Sequence, residues 1–149
     1  MRYSRAIVYA LAATAVLWRV DASAARDGAN TPVVHQLRIY QIFDNNKREF
    51  HERFRDHAMR IMARYGFEIV AMWEANGEGG PEFVYLLEWP DEATMRERWE
   101  KFMADEEWAE IKRVTAAKYG TLVGKIQDRT LKATEYSPER AFLARREEG

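Results

Sequence analysis

The chain has no cysteine, which excludes a disulfide framework, a lipid-modified export cysteine and thiol nucleophiles. It also has no apolar run long enough to span a bilayer. The most hydrophobic stretch, Ala6 to Trp18, is thirteen residues, against the roughly 20 that a spanning helix needs. A strong charge of either sign is missing too, since the formal net charge is −1. Nucleic-acid binding asks for Lys and Arg clustered on one face, so no nucleic-acid partner is expected. No HExxH or CxxC spacing occurs, and His51 and His57 diverge by about 120° around one helix, so no metal site is expected.

What is present begins with an export grammar: Arg2 and Arg5, the apolar run, and Ala22-Ser23-Ala24 as a small-x-small cleavage site. Residues 1–24 are read as a signal peptide, with Arg19 and Asp21 closing the run and no membrane anchor after cleavage. The expected location is periplasmic or secreted. Removing 24 of 149 residues leaves 125, enough for one domain. Arg2, Arg5 and Arg19 leave with Asp21, so the formal charge moves from −1 to −3. Without disulfides, burial must hold the mature chain together, and Trp73, Trp89, Trp99 and Trp108 are available for it.

Residues 25–32 read as a flexible leader, residues 33–136 as one domain and residues 137–149 as a charged, frayed tail or marginal helix. Val33 to Phe43 has strand character. A helical pattern then runs from Asn45 or Asn46 to Tyr65, with Phe50, Phe54, Ala58, Ile61 and Tyr65 on one stripe and Gly66 as its stop. Phe67 to Glu74 and Glu82 to Trp89 form a hairpin around a long turn from Asn76 to Pro81. Pro90 and Asp91 open a second helix bearing Met95, Trp99 and Phe102, and a third follows from Glu106 to Lys118. The last strand is expected at Leu122 to Ile126, continuing at Thr130 to Tyr136 after a break at Gln127-Asp128.

The order βαββα(α)β predicts an α+β, ferredoxin-like βαββαβ sandwich, a four-stranded antiparallel sheet with helices on one face. His35, Leu37, Ile39, Gln41 and Phe43 share one face of the first strand; Val34, Gln36, Arg38, Tyr40 and Ile42 share the other. Phe83, Tyr85, Leu87 and Trp89 oppose Val84 and Leu86 in the same way. Both faces are apolar, and the helices can cover one of them. A second copy is the economical second cover, so an isologous homodimer with sheets face to face is expected.

Gln36-Leu37-Arg38-Ile39-Tyr40 resembles the Glu-Leu-Arg-x-Tyr opening strand of NIPSNAP proteins, members of the dimeric α/β-barrel superfamily alongside the antibiotic-biosynthesis-type monooxygenases. His57 in the first helix, the Trp73 strand, Leu86-Leu87-Glu88-Trp89 with Asp91 after it, and Ala104-Asp105-Glu106-Glu107-Trp108 extend the similarity over about Val34 to Tyr136. The resemblance implies a dimeric barrel without specifying a reaction. The chain departs from it with Gln36 in place of Glu and Asn45-Asn46-Lys47 in place of Pro-Gly-Lys.

His57 lies roughly 60° from the centre of the helix stripe. It is either a base, donor or haem ligand in a cavity between helix and sheet, or a border histidine bonded to a backbone carbonyl. Arg38 and Tyr40 project from one strand face and could orient an anionic or phenolic ligand; alternatively Arg38 pairs with Glu74 or Glu88. Trp73, Tyr85 and Trp89 either line an apolar cavity or belong to the core. The expectation is a small-molecule binder with no cofactor of its own, its ligand aromatic or anionic. Alternatives are a cofactor-independent monooxygenase-like enzyme, and a non-catalytic interaction protein or haem binder.

Overall fold

The computed structural model describes residues 33–143, so the expected signal peptide, the leader and the last six residues of the tail lie outside the described residues. Four strands, β1 (Val34–Gln41), β2 (Glu68–Gly77), β3 (Gly80–Trp89) and β4 (Ile126–Leu131), form one antiparallel sheet in the order β2-β3-β1-β4. The helices are α1 (Lys47–Arg53), α2 (Met59–Arg64), α3 (Glu92–Met103) and α4 (Glu106–Tyr119). None of the described helices is long and apolar enough to cross a membrane.

The first helical pattern is built in pieces. A 3₁₀ turn at Asp44–Asn46 leads into α1, and a π-helical turn at Phe54–Ala58 joins α1 to α2. Phe50, Phe54, Ala58, Ile61 and Met62 are all buried despite the wider turn. Gly66, at φ 73°, adopts the left-handed conformation that stops α2. Asp91 caps α3 by accepting the Thr94 N–H at 2.7 Å, and Asp105 caps α4 by accepting the Trp108 N–H at 2.8 Å.

Two strand boundaries differ from expectation. The hairpin is tighter, because β2 and β3 stay paired to Gly77 and Gly80 and only Glu78 and Gly79 turn. Strand β4 runs through Gln127-Asp128, where a break was expected. Its pairing to β1 overrides a weak alternation, and Asp128 is held on the helix side by Gln36 and Arg38.

The core lies between the helices and one sheet face, where Val34, Phe83, Tyr85, Leu87 and Trp89 meet Phe50, Phe54, Phe102 and Trp108. Trp99 packs against this core, but Trp73, also expected to stabilise by burial, is 50 % exposed. The opposite face is apolar in its middle: Leu37 opposes Leu86, Ile39 opposes Val84, and Trp73 flanks Val84 on β2. None of these five residues belongs to the core cluster.

Part of the expected frayed tail is docked. Phe142 packs edge-on against the His35 ring, and the Phe142 and Leu143 N–H groups donate to the Glu88 carboxylate at 2.6 and 3.4 Å. His35 Nε2 lies 3.0 Å from the same carboxylate, so a buried acceptor on the sheet holds the strap.

Candidate functional site

On the helix-covered face, alternation places Gln36, Arg38 and Tyr40 in a row along β1, and their polar ends join into one chain. The buried Gln36 carbonyl accepts from two indoles, Trp89 at 3.2 Å and Trp99 at 2.7 Å. Its amide donates to both oxygens of Asp128 at 3.0 Å. Arg38 Nη1 donates to Asp128 at 2.5 Å and Nη2 to the Tyr40 hydroxyl at 3.3 Å, while the guanidinium lies 4.4 Å from the Trp99 ring centroid. The Tyr40 and Tyr85 hydroxyls are 2.7 Å apart.

Burial opposes charge on Arg38, but the neighbouring phenols and Asp128 outweigh it, and the group stays a cation. Burial pushes the Tyr85 phenol well above its ordinary range, so it keeps its proton at neutral pH. Asp128 completes this chain and was missed in the sequence, where it reads as a strand break. The expected partners of Arg38 within the chain are engaged elsewhere: Glu74 binds Lys47 and His51 at 2.9 Å each, and Glu88 binds His35 on the other face.

Tyr40 also lines a cavity of about 230 Å³ between the sheet and the helices. Phe54, Met62, Trp108, Val123 and Ile126 make its walls apolar, and Arg53 and Lys112 stand at its rim. Both cations lie 5.7 Å from the Trp108 ring centroid. Neither has a carboxylate partner among the described residues: Arg53 donates to Thr115 Oγ1 at 3.1 Å, and Lys112 makes no ion pair. Burial lowers the Arg53 pKa, the signature of a guanidinium with too little counter-charge. The sequence hid this site because Lys112 and Arg53 read as solvent-facing helix residues.

The other candidates separate. His57 lies in a groove between the first helical segment and α4, beside Glu52, Asp56, Thr115 and Lys118, and not in the cavity that Tyr40 lines. It makes no hydrogen bond among the described residues, so the expected backbone-carbonyl partner is also not there. The π-helical turn accounts for the shift, because wider winding rotates His57 away from the direction that 100° per residue assigns. Tyr85 and Trp89 are buried on the helix side, whereas Trp73 is on the opposite face, so these three do not line one cavity. No group of three or more acidic or histidine side chains poised for a metal occurs among the described residues.

The two departures in sequence have local explanations. Gln36 donates to a carboxylate, a role an ionised Glu cannot fill. Asn46, buried beside the start of α1, donates to the Tyr119 and Thr121 carbonyls at 3.0 and 3.1 Å and ties that start to the end of α4.

The family model described as NIPSNAP matches residues 35–138. No curated protein matches the chain. Among solved structures, an uncharacterised NIPSNAP-like domain protein from Burkholderia xenovorans superposes with a TM-score of 0.62 at 20% identity, covering 75% of this chain and 94% of that one. A NIPSNAP family protein from Agrobacterium tumefaciens gives 0.62 at 18%, covering 72% and 99%. At these identities the likeness establishes a shared fold.

Proposed function

Taking as premise that the chain belongs to the NIPSNAP family, we propose that it is an exported homodimer that binds a small amphipathic anion in the cavity beside Tyr40. The observation that carries the ligand class is the pair of cations without carboxylate partners, Arg53 and Lys112, bracketing Trp108 over apolar walls. A cavity of about 150 Å³ accepts benzene, so 230 Å³ suits a body of one or two rings. The carboxylate, sulfonate or phenolate of such a ligand meets the two cations at the rim, and the Tyr40 hydroxyl offers a hydrogen bond inside.

Export is supported by the N-terminal grammar, and the homodimer by the apolar middle of the helix-free face. A haem reading through His57 draws no support from its groove, whose lining is largely charged and polar.

The test uses 8-anilinonaphthalene-1-sulfonate, an aromatic anion, as a fluorescent probe. Saturable micromolar binding is expected, weakened about tenfold by Lys112→Ala or Arg53→Gln, as for loss of one charged contact. Met62→Trp fills the cavity and abolishes binding, while His57→Ala leaves it unchanged. Equal affinity for the wild type and a Lys112→Ala/Arg53→Gln double variant overturns the site. Native mass spectrometry of protein from its own cells reads the mature N-terminus, the copy number and any retained molecule together.

A further inference from the structure

The cavity beside Tyr40 and the groove beside His57 are neighbours. Both are walled by the first helical segment and α4, and Arg53 alone among the described residues lines the two. Its guanidinium stands in the seam, near the Trp108 ring on the cavity side and donating to Thr115 Oγ1 on the groove side. Thr115 turns its own hydroxyl hydrogen to the Ile111 carbonyl at 2.7 Å, so toward Arg53 it is an acceptor.

Charge changes sign across that seam. The cavity carries Arg53 and Lys112 and no carboxylate, whereas the groove carries Glu49, Glu52 and Asp56 against Lys118. Glu49 precedes Arg53 by four residues and Asp56 follows it by three, spacings that make side chains neighbours on a helix surface. Arg53 nevertheless pairs with neither. Two exposed guanidinia, Arg48 and Arg55, donate to Glu49 and Asp56 instead, and Glu52 has a 3.9 Å contact with Arg48. Both Arg48 bonds fall on Glu49 Oε1, and every one of these carboxylates keeps acceptor capacity for a further donor. Lys118 lies 4.8 Å from the Tyr119 ring centroid and makes no ion pair among the described residues.

From the inside outward the order is apolar wall, cations, carboxylates. A ligand that matches it carries an aromatic ring, then an anion, then a cation. Resting on the binding cavity proposed above, we infer that the seam at Arg53 recognises an aromatic amino acid: its ring in the cavity, its carboxylate on Arg53 and Lys112, its ammonium among Glu49, Glu52 and Asp56 in the groove. The carboxylate and the ammonium sit on one carbon, so both reach a boundary that one residue forms. The anionic group of the ligand is then half of a zwitterion. Tyr40, in the cavity wall, meets the indole N–H or phenol O–H of the ring. An aromatic amine without a carboxylate faces two cations in the cavity, and an aryl acid without an amine leaves the groove carboxylates unanswered.

The test displaces 8-anilinonaphthalene-1-sulfonate from the wild type with L-tryptophan, with indole-3-propionate, which lacks the ammonium, and with tryptamine, which lacks the carboxylate. L-Tryptophan is expected to half-displace the probe at a concentration about tenfold lower than either analogue, as for one charged contact each. In Glu52→Gln/Asp56→Asn, L-tryptophan should fall to the level of indole-3-propionate. Both side chains are half exposed, at 50 % and 48 %, so the substitutions do not reach the core. Parity of L-tryptophan with indole-3-propionate in the wild type overturns the inference. So does a preference that survives the double variant, or an L-tryptophan that displaces nothing. In each of these outcomes the probe still binds, and the cavity stands. A wild type that binds no probe overturns the cavity and the inference together.

Discussion

Gln36 does three jobs with one side chain: it accepts from two indole N–H groups and donates to Asp128, which in turn holds Arg38. Gln36→Ala leaves the Trp89 indole without an acceptor inside the core, and a loss of about 2–3 kcal/mol is expected from urea denaturation. Gln36→Glu is more informative. It keeps the acceptor and sets a carboxylate against the Asp128 carboxylate, so one of the two takes up a proton more readily in the folded state than in the unfolded chain. A folded-state pKa raised in this way gives stability at low pH that is lost as pH rises through it. The variant is therefore expected to be weaker than wild type at pH 7 and to close the gap toward pH 5. A constant difference across that range would show that the two groups do not share a site.

The start of α4 docks on α2 through charge, with Glu107 taking hydrogen bonds from Arg60 and Arg64, and Asp105 taking them from Tyr65 and Arg64. The Arg60 and Arg64 contacts hold the Glu107 carboxyl down to about 2, and Asp105 is lowered too, first by the Tyr65 hydroxyl. A depressed carboxylate contributes stability above its ordinary pKa and loses it as pH falls through the folded value. Stability should decline from about pH 5 toward pH 2, with a shallower slope in Arg60→Gln/Arg64→Gln, read as the urea midpoint at each pH. This docking also marks how far the sequence could be read. The stripe Phe50, Phe54, Ala58 and Ile61 is visible because helical spacing survives a local change of winding. The facing of His57 is not, because an i→i+5 turn leaves no trace in apolar periodicity. Strand β4 was misjudged for a related reason, since Asp128 looks like a breaker until Arg38 and Gln36 are brought to it by pairing across 90 residues or more.

For the whole molecule, the legible feature was the apolar middle on both faces of the sheet, which alternation along β1 and β3 displays directly, while the ring of His35, Glu68, Glu82, Glu88 and Arg129 around the helix-free patch was not. The cavity was not legible, because Arg53, Lys112 and Tyr40 come from three elements and meet only after packing. The two sheet faces nevertheless make different demands, and neighbouring residues Leu86 and Leu87 separate them. Leu87 is fully buried under the helices, so Leu87→Asp puts an unpaired carboxylate into the core and should cost more than about 4 kcal/mol, enough to unfold a marginal domain. Leu86 opposes Leu37 on the helix-free face, outside the core cluster. If that face is buried by a second copy, Leu86→Asp should leave far-UV circular dichroism intact and shift sedimentation from dimer to monomer. Its unfolding transition should then lose the dependence on protein concentration expected of the wild type. A Leu86→Asp protein that remains dimeric would place the association elsewhere, and one that unfolds as Leu87→Asp does would mean that the monomer cannot stand without its partner.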